Sequence, residues 1–290
     1  MKKKPSFTII VLILSLYSCN TNRYIYSASA PNNPYFTKKG ESKLTADYSS
    51  LGKSESTTSS SGDITSSANQ KGFSNGLDLQ GGYAISNHLA FIAGYQNKRE
   101  KDIYDHSAVI SPFKSSTVKY RRNLFETGVG YYVTLNSGKT ITFNFYTGIA
   151  GGKFSFNDNG IDTSNLSYTR YHSANIRKWF LQPSFNFMPG NYIRFSVILR
   201  TSFVHYGHIN TSYTASEIMA FSLGNIVNKT LDFYEPATNL QFGIPKYSWI
   251  KLDLTLAAVA GDPFYAKSIR HLNSSIGLSV DFSKMKEKKP

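Results

Sequence analysis

Bulky apolar residues recur at alternate positions through much of the chain. Between Trp179 and Phe187, the residues Trp179, Leu181, Pro183, Phe185 and Phe187 share one parity, against Lys178, Gln182, Ser184 and Asn186. After Pro189-Gly190-Asn191, the residues Ile193, Phe195, Val197, Leu199 and Phe203 share a parity, against Arg194, Ser196, Arg200 and Ser202. A period of two on both sides of a tight turn predicts a β-hairpin. Each arm exceeds the ~5–6 residues of a typical soluble strand and suits the ~9–11 of a tilted membrane-spanning one.

The same pattern predicts strands over 41–51, 75–85, 88–98, 120–135, 140–154, 230–243, 248–260 and 271–283. Pro236 marks the strand at 230–243 as the least regular. Short turns follow the second, fourth, sixth and eighth strands. The stretches 52–72, 99–119, 155–171 and 207–229 lack sustained alternation and read as long loops, with 215–221 apolar enough for a short helix or a strand extension. Short turns on one side and long connections on the other are the habit of outer-membrane barrels. Lipid leaves no partner for an open sheet edge, so the sheet must close. The fold expected is all-β: a closed, antiparallel, up-and-down transmembrane β-barrel of about ten strands spanning 41–283, with both chain ends on the periplasmic side.

The polar parity then lines the lumen. Its charged members include Arg122, Glu126, Lys178, Arg194, Arg200, Glu235, Lys251 and Asp253, with Asp47, Asp78 and Asp281. Acids and bases are mixed, which predicts an internally paired polar network. A barrel of about ten strands is little wider than the eight that side chains fill, so a wide pore is not expected. Inward glycines, among them Gly128, Gly130 and Gly148, leave room for Tyr132 and Tyr146.

Composition fits a sheet with a lipid face: 20 Tyr, 20 Phe and 17% charged residues in 290. Residues 1–18 carry Lys2, Lys3 and Lys4 and then a short apolar run, the form of a secretory signal. Residues 19–40, with Pro31 and Pro34 and no period, read as a tether to the first strand. Residues 284–290, with Lys284, Lys286, Lys288 and Lys289, read as a basic tail. The sole cysteine, Cys19, gives no disulfide framework. The net charge of +14 points to anionic lipid and lipopolysaccharide as partners rather than nucleic acid.

The segment Leu16-Tyr17-Ser18-Cys19 resembles the lipobox of bacterial lipoproteins, with Tyr17 departing from the usual small residue. Together with P-Y-F-T-K-K-G-E from Pro34 and G-L-D-L-Q-G-G-Y-A-I-S-N-H-L-A-F from Gly76, it is similar to a group of Bacteroidota outer-membrane β-barrel lipoproteins. The resemblance covers mainly residues 16–95. It implies acylation of Cys19 and an outer-membrane location, and it brings no catalytic residues.

The expected role is structural or surface interaction through external loops, toward an extracellular ligand of unidentified kind, by a monomer without cofactor or metal. Three alternatives stand beside it. One is a narrow channel. Another is a rim protease or lipid-modifying enzyme; Asp102, Asp105, His106, His205 and His208 are its candidates, since ten-stranded omptin-type proteases carry aspartates and a histidine at the rim. The third is a lipid-tethered, lipocalin-like binding barrel with reversed parity. His205 and His208 fall on opposite strand faces, which disfavours a metal pair.

Overall fold

The structure is a computed structural model describing residues 23–61, 64–106, 113–190, 192–221, 223–226, 229–244, 246–261 and 269–286. Ten antiparallel strands form the wall: β1 (Ser42–Ser61), β2 (Ile64–Ala84), β3 (Leu89–His106), β4 (Phe113–Thr134), β5 (Ile141–Asp162), β6 (Ser167–Phe187), β7 (Ile193–Thr211), β8 (Thr230–Ile244), β9 (Tyr247–Ala258) and β10 (Leu272–Asp281). Each pairs with its neighbour in sequence. The last then pairs with the first, from Ser275↔Ser49 to Asp281↔Lys43, so the sheet is closed.

Parity sorts the side chains as the hydrophobic pattern predicts. Phe125, Val129, Tyr131 and Leu135 on β4 and Phe185 and Phe187 on β6 point outward and are exposed, as do Phe195, Leu252 and Leu278. On β4 the outward apolar run from Phe125 to Leu135 rises about 25 Å at ~3.3 Å per residue and a tilt of ~40°, the height of a bilayer's apolar band. Reversed, lipocalin-like parity is thereby excluded for this stretch. Inside the wall, a Cβ on Gly130 would lie 2.3 Å from the Tyr146 ring and 2.4 Å from the Phe145 carbonyl oxygen. Only glycine lets Tyr146 lie flat there, fully buried.

The strands are longer than the alternation of apolar residues implied. β1 to β7 hold 18 to 22 residues. The expected loops 52–72, 99–119 and 155–171 are largely continuations of strands. β5 and β6 are joined by a turn at 163–166, where the Asp162 carboxylate accepts from the N–H groups of Ser164 (2.8 Å) and Leu166 (2.9 Å). In parts of these extensions the outward residues are polar and the inward ones apolar, although Phe73 and Ile103 face outward and Glu100, Asp102 and Asp158 inward. Lys119 and Arg121 point out while Val118 and Tyr120 point in, and Lys153 and Asn157 oppose Phe154 and Phe156. Polarity inverts because the surroundings do: lipid below, water above.

The turns at 135–140, 188–192 and 245–246 lie at the opposite end. In the first, the Asn136 side-chain oxygen accepts from the N–H groups of Thr140 and Ile141, and Lys139 takes the positive φ of 52°. The connection after β7 carries α1 (Ala215–Ala220), closed by a reciprocal cap between Thr214 and Glu217. The last described element is α2 (Phe282–Lys286), so residues 284–286, read as tail, continue a short helix; Lys288 and Lys289 lie outside the described residues. Pro236 sits in β8 opposite Leu199, and the irregularity expected there falls instead between Tyr247 and Lys251 of β9.

Candidate functional site

The expected tether is not outside the barrel. Residues 23–36 are buried and run down the lumen axis, from among Ser116, Asp158 and Phe221 at the long-strand end to Lys139 in a short turn. Absence of a period was read correctly; the location was not. Four aromatic residues, Tyr24, Tyr26, Tyr35 and Phe36, accompany two prolines and two asparagines in this stretch. Apolar rings in a period-free segment need a cavity to fill, and a solvated linker seldom carries so many.

A segment without regular structure still needs partners for its backbone groups. The wall supplies them with side chains. Tyr206 donates to the Ile25 carbonyl at 2.9 Å, Lys98 to that of Ala28, and Gln80 to that of Ala30 at 2.9 Å. Gln182 reaches the Asn32 carbonyl at 2.8 Å, and Asn144 that of Pro34 at 3.1 Å. Tyr26 and Ser27 pair in parallel with Ile269 and Arg270 of the β9–β10 connection, forming a two-stranded ribbon inside the lumen. Asn33 joins β5 and β6: it donates to Asn186 (2.8 Å) and accepts from Asn144 (3.2 Å) and Ser184 (2.8 Å).

The charged residues assigned to the lumen lie there, in separate groups. Arg122 pairs with Glu100 and also donates to Ser27 (2.9 Å) and the Tyr24 carbonyl (3.0 Å). Arg200 holds Glu126 bidentately, at 2.9 Å for both contacts, and lies over the Phe180 ring. Lys178 meets Glu235 at 3.3 Å and the Tyr26 hydroxyl at 3.1 Å. Asp253 accepts from Asn239, Gln241 and Thr255. Arg194 is buried with its guanidinium 4.4 Å from the Tyr35 ring centre. Lys251, Asp47 and Asp78 are buried in the same half, and Asp281 is partly buried beside them. Interior groups this dry require pairing to be tolerated at all.

The upper half of the lumen is different. It is largely aromatic and aliphatic, with Tyr104, Tyr120, Phe154, Phe156, Ile176 and Phe233 around Tyr24, Ile25 and Tyr26. Two ionic groups cross it, and alternation did not reveal two of their acids, Glu100 and Asp158. Asp158 accepts from Arg23 (2.6 Å and 2.9 Å), Ser116 (2.6 Å), Tyr213 (2.5 Å) and Tyr168 (3.0 Å). Arg270 bridges Glu100 (3.1 Å) and Asp102 (2.9 Å). Glu100 and Asp158 were missed because both faces of the strands there carry polar residues, so hydrophobic parity is silent, and Arg23 and Arg270 because they lie off the wall strands. Parity counted from Tyr95 through Ile103 would have placed Glu100 and Asp102 inward.

The connection after β7 covers this end. Phe221, Leu223 and Ile226 are buried, and Phe221 packs against Phe113, Tyr213 and the Arg23 guanidinium. Arg170 binds Glu217 at 3.1 Å, tying α1 to β6. Burial pushes the Glu217 carboxyl up, but hydrogen bonds from Arg170 and Thr214 outweigh it and hold it below its usual range. Burial drives the Tyr213 phenol far above its ordinary value, against the nearby Arg23.

The rim candidates do not gather. Asp102 points into the lumen toward Arg270, whereas Asp105 is exposed on the outer face. His205, on β7, lies outward between Arg177 and Thr230. His208 sits at a bulge with φ 48°. The His106 side chain and Cys19 lie outside what the structure describes. Among the described residues no three His, Cys, Asp or Glu side chains are grouped as metal ligands.

No family model matches the chain, and no curated protein sequence does. Solved barrels are similar in shape. The translocator domain of autotransporter NalP from Neisseria meningitidis aligns at 10% identity and a TM-score of 0.46, over 83% of this chain and 88% of that one. The outer-membrane protease OmpT from Escherichia coli aligns at 7% identity and 0.42, over 86% and 99%. The Pseudomonas putida toluene transporter TodX aligns at 8% identity and 0.30, over 83% and 88%. No residue or activity carries over from these likenesses. What this chain itself presents is a closed ten-stranded barrel with an apolar belt outside and its own N-terminal segment inside.

Proposed function

We propose that the protein is a sealed outer-membrane barrel whose work is done at its outer wall and external end, not by passage through its lumen. One observation carries this reading: residues 23–36 fill the axis of the barrel and are bonded to the wall along their length. A sealed lumen leaves the long-strand end as the surface that meets other molecules, in a structural or interaction role. The short turns then face the periplasm.

The course of the segment bears on the lipid anchor. Cys19 precedes Arg23 by four residues, which span at most about 14 Å. Arg23 is held beside Ser116 and Asp158, far from the short turns. Acyl chains on Cys19 would therefore be held at the external rim, and the N-terminal end of the barrel domain would not share the periplasmic side with its C-terminal end.

The test is conductance. The full chain in planar bilayers should give no steady current, and the same barrel lacking residues 23–36 should conduct. Both samples are checked for the heat-modifiable gel band of a folded barrel. Liposome swelling in small sugars gives a second readout on the intact protein alone. A steady current or sugar uptake by the intact protein overturns the proposal.

A further inference from the structure

On the outer wall, Arg99 of β3 faces Arg121 of β4, and Lys101 faces Lys119. All four side chains are exposed, and they form a square of like charge. Directly opposed residues have Cβ atoms ~5 Å apart, and same-face neighbours along a strand lie ~7 Å apart. Like charges opposed in this way destabilise a sheet unless something neutralises them.

The wall does not neutralise them. The flanking outward residues are Asn75 and Phe73 on β2 and Ser155 and Asn157 on β5. Below the square come Asn97 and Asn123. The acids Glu100, Asp102 and Asp158 point inward, into ion pairs of their own, and Asp105 faces outward but stands four residues beyond Lys101, about 13 Å along the strand. Further cations extend the sector, with Lys153 opposite Asn123 and Arg177 opposite His205. At the same level the opposite side of the barrel offers Asp232, Ala258 and Ser274 instead. The charge is thus concentrated on one sector and is not a general feature of the rim.

Height identifies the ligand chemistry. The last outward apolar residues below the square are Tyr95 and Phe125, each four residues from its arginine. Four residues of tilted strand rise about 10 Å, and a long cationic side chain can reach back toward the membrane over part of that. The charges therefore stand at the level of headgroup phosphates, above an apolar wall that receives acyl chains. We infer that Arg99, Lys101, Lys119 and Arg121 form a binding site for the phosphate groups of an anionic lipid of the surrounding leaflet. The inference rests on the reading that the apolar belt lies in a bilayer.

The full-length protein is reconstituted in phosphatidylcholine nanodiscs with or without 10 mol% of a bis-phosphorylated lipid A, and lipid retained after detergent exchange is counted by native mass spectrometry. The variant Arg99→Gln/Lys101→Gln/Lys119→Gln/Arg121→Gln should retain at least tenfold less lipid A. The pair Lys101→Gln/Lys119→Gln should give an intermediate loss. Lys38→Gln/Lys39→Gln/Lys139→Gln/Lys246→Gln, which removes equal charge at the short-turn rim, should retain it fully. In neutral detergent the quadruple outer variant should melt no lower than the parent, because repulsion has been relieved. Equal retention by the two quadruple variants overturns the site. So does binding of free inositol hexakisphosphate to the detergent-solubilised protein as tight as that of the lipid. If the parent lacks the heat-modifiable band in nanodiscs, the membrane reading itself has failed, which is a separate outcome.

Discussion

Asp158→Ala tests whether the N-terminal segment is fixed to the wall. Asp158 is fully buried and receives Arg23, Ser116, Tyr168 and Tyr213 at 2.5–3.0 Å. Removing it takes the carboxylate away from the buried Arg23 guanidinium and from the Ser116 and Tyr213 hydroxyls, while Tyr168 keeps the Ser115 carbonyl at 3.4 Å. Breaking a buried pair from one side costs about 3–5 kcal/mol, and rings of Phe221 and Tyr104 at 4.2 Å and 4.9 Å offset ~1 kcal/mol of that. A net loss of about 3–4 kcal/mol is expected, a factor of ~10²–10³ in the unfolding constant. Arg23→Met should cost less, about 2 kcal/mol, because Asp158 keeps three hydroxyl donors. Arg23→Met/Asp158→Leu should recover much of the larger loss, since neither charge is then buried alone. Urea titration in lipid vesicles, followed by the fluorescence of Trp179 and Trp249, measures all three. A loss below ~1 kcal/mol for Asp158→Ala, or one no larger than that of Arg23→Met, would refute the argument that this contact is dry.

Two further outcomes follow from the placement of the belt and the cap. Phe145→Arg, in the middle of the outward apolar run of β5, should cost about 2–4 kcal/mol in the same titration, while Asn159→Arg on the same face above the belt, between Thr117 and Thr169, should be near neutral; similar values for both would displace the membrane boundary. The Glu217 carboxyl is held below its usual value, so its contribution is present above the unfolded carboxyl range near pH ~4.3 and is lost as pH falls through the lower folded value. Hydrogen exchange across 214–221 should accelerate as pH drops from about 5 toward 3, after correction for intrinsic rates, and Glu217→Gln should flatten that dependence; an unchanged profile in the variant would remove the carboxyl from the cap.

Within the membrane the sequence was nearly sufficient. Strand length and loop asymmetry, not parity, pointed to the apolar face as the outer one. Alternation marked the apolar stretches of ten strands and sorted their side chains into two faces, because lipid and a closed interior impose opposite demands on adjacent residues. Ser248–Ala260 and Trp179–Phe187 read correctly for that reason. Above the membrane the rule loses its contrast. Lys98 through Asp105 alternates charge with charge, and Tyr168 through Ile176 mixes polar residues on both faces, so strands there read as loops although the ladder continues. The helix at 215–220 was half legible: apolar residues marked the stretch as a short helix or a strand extension, and the Thr214–Glu217 cap that decides for the helix was seen only in the structure.

What the chain does with residues 23–36 was decided only by the tertiary structure. No local period marks residues 23–36, because they form no sheet of their own beyond Tyr26 and Ser27. Their conformation is set by carbonyl contacts to Tyr206, Lys98, Gln80, Gln182 and Asn144, which come from five different strands. Sequence fixes a pattern between near neighbours; a lumen exists only once the last strand meets the first. The space that this segment fills, and therefore whether the barrel is open or sealed, is a property of closure and cannot be read along the chain.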